Sequence, residues 1–131
     1  MAQDLIALSE KLTTEVAAGD DSAYERYFAP DLELHEHITG VPQSGVFFGP
    51  DGVRKCMAIQ NATWKKTWEF TRFQYSDDML IVYEQIVWAN YQTGKAPMIP
   101  AIGVHRYRDG LIYRIDVYIT DEDALRDTLV P

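Results

Sequence analysis

Cysteine is almost missing from this sequence. Cys56 is the only one among 131 residues, so neither an intramolecular disulfide nor a cysteine-rich metal site can form. An oxidising compartment is not implied, and a cytoplasmic location is the expectation. Long hydrophobic runs are missing as well. No stretch approaches the roughly 18 apolar residues of a membrane span. The opening MAQDLIALSEKL carries acidic and polar residues where a secretion signal has basic ones before an unbroken apolar run. Positive charge is scarce: 12 Lys and Arg stand against 20 Asp and Glu, a formal net charge of -8. Such a field repels phosphate backbones and anionic lipid, so neither nucleic acid nor a membrane is expected as a partner. There is no glycine-rich phosphate loop, GxSxG elbow or nucleotide fingerprint. Phosphoryl transfer, serine hydrolysis and dehydrogenation therefore have no support, and no cofactor is expected.

What is present is ordinary globular material, 47% hydrophobic and 12% aromatic, enough for one domain over residues 1–131. Leu5, Leu8, Leu12 and Val16 fall three and four apart and predict an amphipathic helix stopped at Gly19. A short second helix, capped from Asp20, Asp21 or Ser22, turns Ala23, Tyr24, Tyr27 and Phe28 inward and closes at Pro30. Gly40 to Gly49 reads as a loop folded over something apolar, and Pro50 to about Asn61 as a third helix. Four β-rich runs follow, TWEFTRFQYS, MLIVYEQIVWANY, MIPAIGVHRY and LIYRIDVYI, separated by SDD, QTGKAP and RDG. They predict an antiparallel meander, closed by a short helix with Thr120 as its cap.

The segment LELHEHI, Leu32 to Ile38, breaks its own pattern. Leu32, Leu34 and Ile38 share one strand face, and Glu36 lies on it with them. Desolvating an unpaired carboxylate is costly, so the position demands a partner or a purpose. Either a pocket uses Glu36, or the side chain at the strand end curls into solvent or pairs with an arginine.

Helix, helix, strand, loop, helix and then four long antiparallel strands is an α+β order. It predicts a cone-shaped, curved, mostly antiparallel sheet wrapped around N-terminal helices and open at one end. That order, together with AAGDDSAYERYFAPDLELHEHITGVPQSG (Ala17 to Gly45), resembles the SnoaL-like branch of the nuclear transport factor 2-like (NTF2-like) superfamily. Ketosteroid isomerases, polyketide cyclases and limonene epoxide hydrolase are members. The segment is similar to the isomerase stretch that runs into the strand bearing the catalytic aspartate, and this register places Glu36 on the base. The isomerase tyrosine would fall near Leu12 and its protonated acid near Gly103, so neither oxyanion donor stands at its matching position. The resemblance thus implies a pocket carboxylate that moves protons on a small hydrophobic molecule, in an isomerase, cyclase or lyase-like reaction. The other possibility is a non-catalytic ligand-binding or interaction module.

Three further residues are catalytic candidates. His105 shares a face with Ala101, Gly103 and Tyr107, which the resemblance turns inward, where it could serve Glu36 as acid or oxyanion donor. Its plain alternative is a packed, hydrogen-bonded core histidine. Glu84 lies among Val82, Ile86 and Trp88 on a strand whose either face could be the inner one. Asp116 sits on the last strand, where several polyketide cyclases resembling this chain carry their acid/base aspartate, although the isomerase register sends it outward. Tyr24, Phe48, Met57, Trp64, Trp68, Trp88 and Tyr107 are the candidate ligand contacts, with core packing as the alternative for the aromatics. His35 and His37 share a strand face as a metal pair would, but no third ligand stands in an obvious place, so no metal is expected. Apolar residues on both faces of the long strands predict a homodimer through the outer sheet face, as the family resemblance also implies.

Overall fold

A computed structural model describes residues 3–131 of the chain. Helix α1 covers Leu5–Ala17; Asp4 caps it by accepting from the Ala7 amide at 3.0 Å. It ends where Gly19 takes φ +82°, a conformation that suits a residue without Cβ. Helix α2 is one short turn, Ala23–Tyr27. The strand that follows, β1, begins at Phe28 rather than Leu32 and runs to Glu36, with an irregularity between Phe28 and Glu33 that absorbs Pro30. The region read from sequence as a loop holds a further strand, β2 (Gly45–Phe48), antiparallel to β1. Helix α3 spans Gly49–Thr63 with Pro50 in its first turn. Strands β3 (Trp64–Ser76), β4 (Met79–Asn90), β5 (Ala101–Arg108) and β6 (Leu111–Ile119) make the expected antiparallel meander. The last helix, α4 (Glu122–Asp127), is capped by Asp121 and not by Thr120.

The six strands form one sheet in the order β2-β1-β6-β5-β4-β3. β1 joins it through a parallel pairing with β6. The sheet curls around the helices. Arg72 of β3 donates to Ser9 and Thr13 of α1 at 2.8 Å each and so pins that helix onto the concave side. No helix among the described residues is long and apolar enough to cross a membrane.

Two apolar clusters pack on the concave side. One gathers Leu5, Leu12, Tyr27, Phe28, Leu34, Val82, Tyr107 and Ile115 beneath α1 and α2. The other gathers Ile38, Trp64, Ile86, Trp88, Ala101, Ile119 and Leu125 beneath α4. The two clusters meet at mid-sheet.

Candidate active site

On β1, Leu34 belongs to the first cluster and Ile38 to the second; Glu36 stands between them. On β4, Val82 and Ile86 are divided in the same way, with Glu84 between. On β3, Lys66 follows Trp64 of the second cluster and precedes Phe70, which packs on the first. Polar side chains thus interrupt the apolar alternation on three strands and form a polar layer on the concave face, spread over successive rows: Glu36 lies in the row of Val82, Glu84 pairs with Phe70 and Lys66 with Trp88. Backbone parity turns these side chains inward, and burial against two cores holds them there.

Glu36 is buried, and its Oε1 accepts from the Gln60 side-chain amide at 3.2 Å and from the Cys56 thiol at 3.5 Å. Cys56 and Gln60 are four residues apart on α3, hence on one helix face. Burial pushes the Glu36 carboxyl up to about 7, while the Cys56 thiol, Lys66 and Gln60 favour its ionised form. Glu84 is pushed up to about 7 by burial; Lys66 opposes that shift and the Glu36 charge adds to it. The Lys66 ammonium donates to Gln60 Oε1 at 2.6 Å and lies 5.1 Å from the Trp68 ring centre and 5.7 Å from that of Trp88. Burial lowers its pKa, and Glu84 and Glu36 pull it back up. Lys66 thus acts on both carboxyls and they on it, so the protonation of the three groups is linked.

The structure separates the other candidates. His105 is on the concave face, but its charged neighbour is Arg72, not Glu36. Burial first and Arg72 second lower its pKa to about 4, which keeps the ring neutral. Its Nε2 lies over Gly103, where an added Cβ would come within 3.0 Å, so glycine there makes room for the imidazole. His105 Nδ1 and the Tyr107 hydroxyl are buried without hydrogen-bond partners. Asp116 faces outward, bound by Arg114 at 2.9 and 3.0 Å and by His37 at 2.7 Å.

Several candidate ligand contacts are corrected by the packing. Trp64 and Trp88 are fully enclosed in the second cluster, edge to face at 5.3 Å, their indole N–H groups spent on Thr128 and on the Ile99 carbonyl. They are core, although Trp88 also backs Lys66. Phe48 is 68% exposed, because on the edge strand β2 it is Phe47 that turns inward. Tyr24 and Met57 pack against the first cluster, Tyr24 under the Arg54 guanidinium at 4.7 Å. Trp68, half-exposed beside Lys66, and Tyr107 remain as walls of the polar layer. Lys66, Gln60 and Cys56 were not among the residues the sequence singled out. The available signal was strand parity, since Lys66 shares a face with Trp64, Trp68 and Phe70.

A curved, unclosed six-stranded sheet over N-terminal helices is the NTF2-like fold, and solved structures show the same architecture. An NTF2-like protein from Burkholderia thailandensis E264 is 18% identical with a TM-score of 0.82, over 95% of this chain and 96% of that one. A candidate SnoaL-like polyketide cyclase from Mesorhizobium loti is 17% identical with a TM-score of 0.71, over 88% of this chain and 99% of that one. TerC, co-crystallised with polyporic acid, is 15% identical with a TM-score of 0.81, over 96% of this chain and 98% of that one. No family model matches the chain, and no curated protein matches it.

Proposed function

We propose that the chain is a cofactor-independent enzyme that moves protons on a small, largely apolar oxygenated molecule held in the cone, a reaction of the isomerase, cyclase or dehydratase kind. The observation that carries this reading is that Glu36 and Glu84 stand on the concave face where the apolar clusters divide, each with the charge of Lys66 acting on it. Structural polarity alone gives no reason to bury two carboxyls beside one lysine, since unmatched buried charge costs stability. Ionised Glu36, steadied by Gln60 and Cys56, takes a proton from a carbon next to a carbonyl. Protonated Glu84 or the Lys66 ammonium then supports the enolate oxygen, and the proton returns to a different atom. A carboxyl with a pKa near 7 suits this work at neutral pH. Among fold neighbours, one was crystallised with an organic acid and others are named as polyketide cyclases, which supports an oxygenated organic ligand.

A panel of apolar, enolisable ketones in deuterated buffer, followed by proton NMR, tests this without knowledge of the natural substrate. Exchange at the α-carbon is expected to exceed the buffer rate at least about a hundredfold for some members. Glu36→Gln is expected to abolish that excess, and Glu84→Gln to cut it at least about tenfold. Binding of panel members with no exchange, and with affinity indifferent to Glu36→Gln, would instead identify a ligand-binding module.

The reading includes a homodimer. On the convex face Phe73 is 55% exposed and Tyr75 75% exposed, beside the half-buried outward residues Ile81, Tyr83, Ile102 and Val104. A second copy would cover this apolar surface. Sedimentation equilibrium at micromolar concentration is expected to return twice the 15.0 kDa chain mass, and a monomer there would refute the assembly.

A further inference from the structure

The convex face carries a second cluster of chemically able side chains. His35 and His37 project from the end of β1, and the parallel register of β1 with β6 sets Asp116 directly beside His35. One donor atom from each of His35, His37 and Asp116 lies within 4.8 Å of the other two. The third ligand that the sequence left unplaced is therefore supplied by the neighbouring strand.

We propose that His35, His37 and Asp116 form a binding site for a divalent transition-metal ion of the zinc class. Two imidazole nitrogens and one carboxylate oxygen are donors such ions favour, and three protein ligands leave a fourth position open. Ligand bonds of about 2.0–2.2 Å in a tetrahedron need donor atoms about 3.3 Å apart. The rings are already arranged: His37 stacks on Tyr118 at 4.6 Å and lies nearly parallel to His35 at 5.7 Å. His37 Nε2 and Asp116 Oδ1, 2.7 Å apart, share a hydrogen bond whose proton the metal would replace. Glu33, 3.2 Å from His35 Nε2, adds negative charge and can orient that ring. An open groove of about 680 Å³ runs beside the two histidines, with Ser44 and Glu122 on its wall, and gives an ion its way in.

Arg114 opposes binding. Its guanidinium occupies both Asp116 oxygens at 2.9 and 3.0 Å, so an incoming cation must displace or tolerate it. That competition supplies a test of the mechanism as well as of the site.

The attribution is favoured because the chain has three histidines and one cysteine, Cys56 is buried, and the half-buried His105 lies on the concave side, away from His35 and His37. Untagged protein is titrated with Co²⁺ by optical absorption and with Zn²⁺ by calorimetry. One equivalent of each is expected to bind with micromolar affinity. His37→Ala and His35→Ala are each expected to weaken binding at least about tenfold, and Arg114→Gln to tighten it several-fold. Thermal melts of the metal-free variants show whether each is folded. Absence of a saturable equivalent at submillimolar metal would overturn the proposal. So would binding that folded His35→Ala and His37→Ala leave unchanged.

Discussion

Replacing Trp64 by alanine is expected to remove about 3–5 kcal/mol of folding stability, the usual range for emptying a buried indole site. Trp64 is 0% exposed, packs edge to face on Trp88, and donates its indole N–H to Thr128 Oγ1 at 2.9 Å. That bond ties the start of β3 to the turn after α4, so the truncation opens a cavity and leaves a buried hydroxyl short of a partner. A domain of this size shifts its midpoint by about 4 °C per kcal/mol, which makes the expected fall roughly 12–20 °C. Trp64→Phe keeps most of the volume and loses the hydrogen bond, so about 1–2 kcal/mol should separate it from the wild type. Differential scanning calorimetry of the two variants checks both figures; a melting point for Trp64→Ala within a few degrees of wild type would contradict the packing.

The second large effect is acid lability through His105. An unfolded histidine titrates near 6.5, whereas here burial and Arg72 depress the value to about 4. The stability that comes from keeping this ring neutral is complete above about pH 6.5 and is lost as pH falls towards 4. The gap corresponds to about 3 kcal/mol. Glu84 acts in the opposite sense. Its value of about 7 lies above the unfolded 4.5, so its contribution is present at low pH and is lost as pH rises through 7. The two slopes overlap and partly cancel in the wild type, which is why the variant matters. His105→Asn removes one slope only, and urea unfolding from about pH 7.5 to about pH 4 should show it gaining about 3 kcal/mol on the wild type across that range. Parallel pH profiles for the two proteins would place His105 in a solvated setting instead.

Most of the fold was legible because the longer elements obey simple periods. The meander strands alternate, α1 repeats at three and four residues, and the turns carry Asp, Gly and Pro where the chain reverses. The proposed site was half legible. Glu36 and Glu84 stood out because acids interrupt apolar alternation. Lys66 did not, because a lysine on a strand usually lays its stem on the surface and sends its charge to water. Parity says which face a residue takes, not at what depth. His105 and Glu36 do share the concave face, yet His105 lies one row further along, in register with Leu80 and Ile115. The Gly45 to Phe48 strand was hidden by its turn-forming neighbours, and with it the fact that Phe48 points away from the interior. Asp116 could not be joined to His35 and His37 from sequence because their meeting depends on which strands become neighbours.

The parallel pairing of β1 with β6 also bears on the order in which the molecule can assemble. His37 and Asp116 touch across 79 positions of chain, and the same ladder sets Glu36 opposite Val117. The hairpins β3–β4, β4–β5 and β5–β6 close short loops and can form early at small entropic cost, whereas this ladder closes the longest loop in the sheet. Its contacts are made only after β6 exists and has docked. The carboxylate of Glu36 is then among the last groups in the sheet to reach its place, and during synthesis the interior stays unfinished until β6 has emerged.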